Sequence, residues 1–304
     1  MRDGKGPLML ENIGAVILGL ALGFLYRLYL LRIDYRQYPS YPHGYIAHLS
    51  LGFIAALLGA VALPALLAKE YAAVTFLSLA AQQFREIRNM ERKTLEQLDM
   101  SELVPRGPDY IEGIARVFEG RNYLVMLVAL ATSSLATFIP LGWSAVGGII
   151  VAVVLSRLKK GKTLGDIAIV RLGRVHFRGA LLFVDDILIM NVGLKDAKKM
   201  ITELGIGVVI EPKTDDARAT LANMGQRQAI NHEVATLLGA RKDFAEPEFT
   251  PLCRLNTETG RAALFILPVE PDPELAVLAV RKVPVLESAI RRPLDTIIGR
   301  KASD

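Results

Sequence analysis

Long apolar runs dominate the first half of the chain, whereas shorter apolar and polar segments alternate in the second half. Residues 12–31 and 44–68 each come close to the roughly 20 apolar residues that a membrane-crossing helix needs. Residues 122–139 and 142–155 form two further runs, separated by a short turn. We therefore expect an α-helical transmembrane region of about four helices, with the last two forming a hairpin over residues 122–158.

The first apolar run contains a pair of glycines at a spacing that favours helix packing. Gly19 and Gly23 form a GxxxG pattern, which lets two membrane helices approach closely. Glycine is also common in membrane helices in general, and in a run rich in alanine and glycine composition alone explains one such spacing better than a packing role does.

A third helical pattern follows the second run. Residues 71–81 are apolar but too short to cross a bilayer alone. The helical spacing of apolar residues continues to Leu98, among polar and cationic residues. We expect residues 1–100 to hold two transmembrane helices and an amphipathic cytoplasmic helix. This helix either lies along the membrane surface or packs against the soluble domain.

Residues 101–121 read as a hinge between the two pairs of apolar runs. Pro105, Gly107 and Pro108 end any helix that arrives from upstream. Asp109 then stands where an N-cap is expected, with Glu112 at the capping-box spacing. The helix that follows would carry a stripe of apolar side chains: Tyr110, Ile114, Val117 and Phe118.

From residue 163 onward, short segments rich in Val, Ile and Leu alternate with helical patterns. This alternation predicts a soluble α/β or α+β domain over residues 163–304, with a sheet of four or five strands. Asp185 and Asp186 lie between two apolar segments and are expected to form the tight turn of a β-hairpin. Residues 215–238 are predicted to be the longest helix of this domain.

The charge pattern predicts the orientation in a membrane. The net charge is +5, and a cationic cluster over residues 157–162 follows the fourth apolar run, which marks the cytoplasmic side. We expect both termini and residues 69–121 to be cytoplasmic and the loop 32–43 to face outward. Nucleic-acid binding is disfavoured because the chain has no block of five or six like charges.

Signatures of catalysis are absent from the sequence. We find no dinucleotide or phosphate-binding glycine motif and no metalloprotease or serine-hydrolase motif. Cys253 is the single cysteine. We therefore predict no catalytic residues, no metal and no cofactor. The polar run on the long helix is either a solvated helix face or a site for a small ligand or partner; its candidate residues are Gln226, Arg227, Gln228 and His232.

Residues 110–115 spell YIEGIA, and the chain resembles the bacterial YIEGIA family of membrane proteins, which is named after this hexapeptide. The run ANMGQRQAINHEVA over residues 222–235 is also similar to the soluble part of that family. The resemblance implies a membrane protein of endospore-forming bacteria that takes part in spore-envelope assembly, without an enzymatic activity. A hinge that docks onto a partner would use these residues: Tyr110, Ile111, Glu112, Gly113, Ile114, Ala115 and Phe118.

The sequence therefore leads us to expect a multi-pass protein of the inner membrane, in the cell or the forespore, with a scaffolding or interaction role in sporulation. Its partners would be the lipid bilayer and another protein or a second copy, with no nucleic acid. A small transporter or channel with a cytoplasmic regulatory domain is the alternative. An enzyme acting on lipid-linked or nucleotide substrates is a third class, which the missing motifs disfavour.

Overall fold

The computed structural model describes residues 12–34, 42–69, 71–158, 161–241 and 250–290. The chain divides into two compact units. The helical unit comprises Met1–Arg92 and Ile114–Lys160, and the α/β unit comprises Lys93–Gly113 and Gly161–Asp304. The segment Lys93–Gly113, which contains most of the predicted hinge, thus belongs to the α/β unit.

Long helices build the described part of the helical unit. They are α1 (Ile13–Asp34), α2 (Pro42–Leu67), α3 (Tyr71–Asp99), α4 (Pro108–Phe138) and α5 (Leu141–Leu158). The C-terminal end of α3 and the N-terminal end of α4 are counted with the α/β unit.

Small residues let α1, α2 and α4 pack closely. A Cβ atom added to Gly19 would lie 2.8 Å from the carbonyl oxygen of Ala129, and one added to Gly23 would lie 2.8 Å from the Ala129 Cβ. Ser133 of α4 donates a hydrogen bond of 2.6 Å to the carbonyl oxygen of Ala60 in α2. The GxxxG spacing of α1 is therefore used for a close contact between helices.

Side-chain contacts show which helix ends lie together at each end of the helical unit. Arg27 near the end of α1 contacts His48 near the start of α2, and Ser156 near the end of α5 donates a hydrogen bond of 3.2 Å to the Tyr26 hydroxyl. At the opposite end of α1, Gly14 faces Leu141 at the start of α5.

Helix α3 runs back along α2. Phe84 packs on Tyr123 of α4, with ring centroids 5.7 Å apart, and Glu91 lies 4.0 Å from His48. This arrangement differs from the predicted topology. The end of α1 and the start of α2 lie at the same end of the helical unit as Glu91. The sequence had instead predicted that loop 32–43 faces outward and that residues 69–121 are cytoplasmic.

Two helices of the described chain are long and apolar enough to cross a bilayer: α1 over Ile13–Leu31 and α2 over Tyr45–Leu67. The apolar stretch of α5, Leu141–Arg157, is shorter, and α4 mixes polar residues into its apolar pattern. The finding supports membrane association of the helical unit. By length and composition, the described chain has two such helices, fewer than the about four membrane-crossing helices that the sequence predicts.

Helix α4 begins two residues earlier than its capping pattern suggested. Its first residue is Pro108, so Asp109 lies in the first turn and is not the N-cap. The chain enters the helix through Gly107, whose φ of +86° is a conformation that suits glycine. The carboxylate of Asp99 fixes this entry by accepting hydrogen bonds from the backbone N–H groups of Arg106 (2.7 Å) and Gly107 (3.1 Å).

Two antiparallel sheets form the centre of the α/β unit. One has the strand order β1-β5-β7-β6 and the other β2-β3-β4. The predicted mixture of strands and helices is confirmed for this part of the chain, with two sheets in place of the single predicted one. The strands are β1 (Ala168–Gly173), β2 (Val175–Arg178), β3 (Leu181–Val184), β4 (Ile187–Asn191), β5 (Ile206–Pro212), β6 (Leu252–Leu255) and β7 (Ala262–Ile266).

The smaller sheet and α7 (Lys195–Leu204) pack on the same face of the larger sheet, since Ile201 of α7 lies in the buried cluster that the two sheets share. Leu182 and Ile189 of the smaller sheet share one buried cluster with Val209 and Phe265 of the larger sheet. In the larger sheet, α8 (Asp215–Ala222) and α10 (Pro273–Lys282) both pack against β5. Asp185 and Asp186 form the predicted tight turn between β3 and β4. The helices of the unit are α6 (Leu164–Ile167), α7 (Lys195–Leu204), α8 (Asp215–Ala222), α9 (Met224–Leu238) and α10 (Pro273–Lys282).

Candidate functional site

The polar run that the sequence marks lies on α9 and is mostly buried. Asn223 separates α8 from α9, so the predicted single helix over residues 215–238 is two helices. The Asn223 side chain caps α9 by accepting a hydrogen bond of 2.9 Å from the Gln226 N–H. Gln226, Asn231 and His232 are all buried, at 0%, 8% and 4% exposure. The interpretation of this run as a solvated helix face is therefore wrong.

Polar side chains of α9 bind backbone groups of the hinge. The side-chain amide of Gln228 donates a hydrogen bond to the carbonyl oxygen of Pro105. The Nδ1 atom of His232 lies 2.7 Å from the carbonyl oxygen of Val104. We call these interactions, together with that of Tyr110 below, the hinge–α9 contact. It joins the two segments on which the family resemblance rests.

The geometry of the contact determines where the protons lie. A carbonyl oxygen can only accept, so His232 must carry a proton on Nδ1. The Tyr110 hydroxyl donates a hydrogen bond to the Glu233 carboxylate. Burial, and then the negative charge of Glu233, raises the pKa of the Tyr110 phenol far above its usual range. Tyr110 therefore remains a hydrogen-bond donor at physiological pH.

Glycines allow the hinge and α9 to approach closely. A Cβ atom on Gly225 would lie 2.2 Å from a carboxylate oxygen of Asp109, and one on Gly107 would lie 3.0 Å from the Gln228 Cγ. Asp109 thus sits against the N-terminal turn of α9, where a negative charge is favourable.

The other predicted residues of α9 make contacts elsewhere in the α/β unit. Gln226 holds the segment after α10: its amide donates to the Pro284 carbonyl oxygen (3.0 Å) and its Oε1 accepts from the Leu286 N–H (2.8 Å). Arg227 reaches the carbonyl oxygen of Ala222 at 3.5 Å. The structure therefore brings Gln228 and His232 to the hinge and leaves Gln226 and Arg227 outside that contact. Ligand binding by these four residues stays a prediction.

Most of the hexapeptide motif is buried within the chain. The buried motif residues are Tyr110, Ile111, Ile114, Ala115 and, one turn later, Phe118, whereas Glu112 and Gly113 are partly exposed. An external partner would therefore reach the motif at Glu112 and Gly113. Docking through the predicted apolar stripe would require Tyr110, Ile114 and Phe118 to leave their present surroundings.

A second polar cluster lies in the helical unit. Arg27 is fully buried; its Nη2 lies 3.2 Å from the His48 Nδ1, and its guanidinium lies 5.6 Å from the centre of the Phe118 ring. Gly52 makes room for this side chain, since a Cβ there would lie 2.3 Å from the Arg27 Cγ. Burial raises the pKa of Glu91, whose Oε1 lies 4.0 Å from the His48 Nε2.

Sequence reasoning had not singled out this cluster. The available signal was the arginine itself, because a charged residue within a membrane segment usually has a partner and a role. In the described part of the chain, no group of three or more His, Cys, Asp and Glu residues is arranged to hold a metal ion.

Comparison with known proteins gives one family and one close relative. The sequence model of the family described as "YIEGIA protein" matches residues 15–296. The chain is 47% identical over 290 residues to a Bacillus subtilis (strain 168) protein named "Uncharacterized protein YphB", covering 95% of this chain and 97% of that one. No solved structure matches the chain.

Proposed function

Since the chain belongs to the YIEGIA protein family, we propose that it is a multi-pass membrane protein that acts as a non-enzymatic scaffold in sporulation. In this proposal the helical unit crosses the cell or forespore membrane and the α/β unit is cytoplasmic. The observation that carries the membrane part is the distribution of side chains in the helical unit.

The helical unit exposes large apolar side chains and buries polar ones. Ile17 of α1, Ile46 of α2 and Ile150 of α5 are exposed at 60%, 64% and 58%. In contrast, Arg27 and Ser133 are fully buried. Water disfavours such a surface, whereas hydrocarbon favours it, and buried polar groups are then satisfied between helices. This distribution supports embedding of the unit in a bilayer.

Each long helix carries a stretch without charged side chains. At 1.5 Å per residue these stretches are roughly 20–30 Å long, which approaches the thickness of the hydrocarbon core. The contacts between helix ends align them, so we propose that α3, α4 and α5 also cross the membrane. The stretches are residues 13–26, 49–68, 71–84, 122–138 and 141–156.

The charges give this arrangement a direction. Arg27, Arg88, Arg121 and Arg157 follow or precede the uncharged stretches of their helices on the side of His48, whereas Lys69 lies in the turn at the other end. Cytoplasmic segments retain lysine and arginine. We therefore propose that the His48 end and loop 32–43 are cytoplasmic, and that the turns at Lys69 and Gly142 face outward.

Cysteine labelling in intact cells tests the topology. With Cys253 replaced by serine, single cysteines at Lys69 and Gly142 are expected to react with a membrane-impermeant maleimide. Cysteines at Gln37 and Gln97 are expected to react only after permeabilisation. Labelling of Gln37 and Gly142 from the same side would contradict the proposed crossings, and labelling of Gln97 from outside would reverse the orientation.

Two points support the scaffold role. The resemblance to the YIEGIA family implies a role in sporulation, and part of the YIEGIA motif is accessible to a partner. Among the residues that the structure describes, a Cβ atom on Gly113 would meet the Leu286 Cδ2 at 4.0 Å, an ordinary van der Waals distance, so alanine fits there. Glu112, next to it, is partly exposed. A partner that docks on this helix surface would be disturbed by side chains that the fold itself tolerates.

Substitutions at Gly113 separate docking from internal packing. Gly113→Ala is expected to keep or raise stability, by up to about 1 kcal/mol, because alanine favours the helix. If the motif docks a partner, Gly113→Ala lowers spore formation at unchanged protein abundance, and Gly113→Leu lowers it further. Glu112→Gln keeps the side-chain shape and removes the charge. Normal spore counts in all three variants would eliminate docking at this surface.

The buried Arg27–His48 pair favours a second candidate function, a small transporter or channel with a cytoplasmic regulatory domain. Ionisable groups inside a membrane helix bundle commonly mark transport pathways. The purified protein in liposomes would then carry an ion or proton flux that Arg27→Gln reduces. Absence of flux in the wild-type protein would leave the scaffold role.

A further inference from the structure

A groove with a cavity volume of about 410 Å³ opens between α1 and α5. Its deeper part is lined by apolar side chains from both helices and by one residue of α4. Leu25, Ile149 and Val153 are about half exposed, at 57%, 53% and 47%, so the groove is open to the surroundings of the helical unit. Under the proposed function these surroundings are the acyl chains of the bilayer.

One end of the groove is polar. Tyr26, Tyr29, Ser156 and Arg157 line it there. The Ser156 hydroxyl lies 3.2 Å from the Tyr26 hydroxyl, and the rings of Tyr26 and Tyr29 stack at 6.4 Å. Arg157 is exposed in the last turn of α5. A cation and several hydroxyl groups therefore lie at one end of an otherwise apolar groove.

We propose that this groove binds an anionic phospholipid, with an acyl chain along the apolar part and the phosphate at Arg157. The inference rests on the proposed membrane embedding. From Ile149 to Arg157 the helix rises about 12 Å, so the groove follows an acyl chain from the interface toward the middle of one leaflet.

The chemistry of this polar end selects the headgroup. The arginine side chain pairs with phosphate through a planar fork of donors, and tyrosines favour the interface where headgroups lie. A neutral phospholipid presents the same acyl chain and a phosphate whose charge is balanced by choline. Arg157 therefore favours a lipid with a net negative charge. In the proposed orientation Arg157 faces the cytoplasmic leaflet.

Native mass spectrometry of the full-length protein in detergent tests this site. The protein is incubated with phosphatidylglycerol and phosphatidylcholine of identical acyl chains. The wild type is expected to retain phosphatidylglycerol preferentially, and Arg157→Gln is expected to lower this preference about fivefold, the effect of one well-placed cation. Arg85→Gln, which removes an exposed cation of α3 outside the groove, should leave the preference unchanged.

A second pair of variants tests the apolar part. Ile149→Trp fills the groove and is expected to reduce retention of both lipids, whereas Ile150→Trp adds the same bulk at an exposed position outside the lining and should not. Equal preference in the wild type and Arg157→Gln, or equal retention in the two tryptophan variants, would overturn the proposed site. Release of the wild-type protein from membranes by alkaline carbonate would instead show that the embedding fails, and the lipid site with it.

Discussion

Gly59→Leu is expected to prevent the helical unit from packing. A Cβ atom at this position of α2 would lie 2.1 Å from the carbonyl oxygen of Met126 and 3.1 Å from the Ala129 Cβ. The nearest atom belongs to the α4 backbone, so α2 and α4 must separate. Overpacking of this kind costs about 1–3 kcal/mol or more. The measurement is the thermal unfolding midpoint and the monodispersity of the protein in detergent.

Gly142→Leu provides the matched control. It makes the same change in α5, at a glycine whose added Cβ would have no atom of another described segment within 4 Å, and is expected to behave as the wild type. If Gly59→Leu also unfolds at the wild-type temperature, the close packing of α2 on α4 described above does not exist in solution.

The apolar helices and the hairpin turn of the α/β unit were predictable because local pattern determines them. Runs of apolar residues become helices, and Asp185–Asp186 between two apolar segments becomes a two-residue turn. The split of the long helix at Asn223 was less accessible. Asparagine is tolerated inside a helix, and it becomes an N-cap here because its side chain meets the Gln226 N–H.

The return of α3 along α2 could not be derived from local pattern. Its apolar part, residues 71–81, is too short to cross a bilayer, and the charged part resembles a surface helix. What determines its position is the packing of Phe84 on Tyr123 and of Glu91 near His48. These partners lie far apart in sequence, and no periodicity links them.

The sequence identified the two segments of the candidate site separately. Both segments were singled out, one by its motif and the other by its polar composition, but their contact was not. The hydrogen bonds of Gln228 and His232 end on carbonyl oxygens of Pro105 and Val104. A backbone carbonyl is present at every residue, so nothing in the sequence identifies which one a side chain meets.

Residues 163–304, which the sequence predicts to be the α/β domain, do not contain every segment of the α/β unit. The segment Lys93–Gly113 is part of the α/β unit, and it provides the carbonyl groups that Gln228 and His232 bind. A fragment that begins at Thr163 would leave these side chains without those partners. Because a buried polar group that loses its partner is costly, the stable fragment is expected to need the hinge segment.

Gln226→Leu is expected to be the most destabilising single change in the α/β unit. The Gln226 side chain is fully buried and satisfies two backbone groups after α10, the Leu286 N–H and the Pro284 carbonyl. Leucine has a similar size and makes neither bond. Each buried group left unsatisfied costs about 1–3 kcal/mol, so the expected loss for two groups is roughly 2–6 kcal/mol. Hydrogen–deuterium exchange of the full-length protein measures it locally, as faster exchange of the peptide that contains Leu286.

Two further variants make the test specific. Gln226→Glu retains an acceptor for the Leu286 N–H but places a buried carboxyl group against the Pro284 carbonyl oxygen, so exchange of the Leu286 peptide should be faster than in the wild type. Gln97→Leu makes the same replacement at an exposed position of α3 and is expected to change stability by no more than about 0.5 kcal/mol. If Gln226→Leu protects the Leu286 peptide as well as Gln97→Leu does, the buried amide does not hold the segment after α10, and another part of the fold must position it.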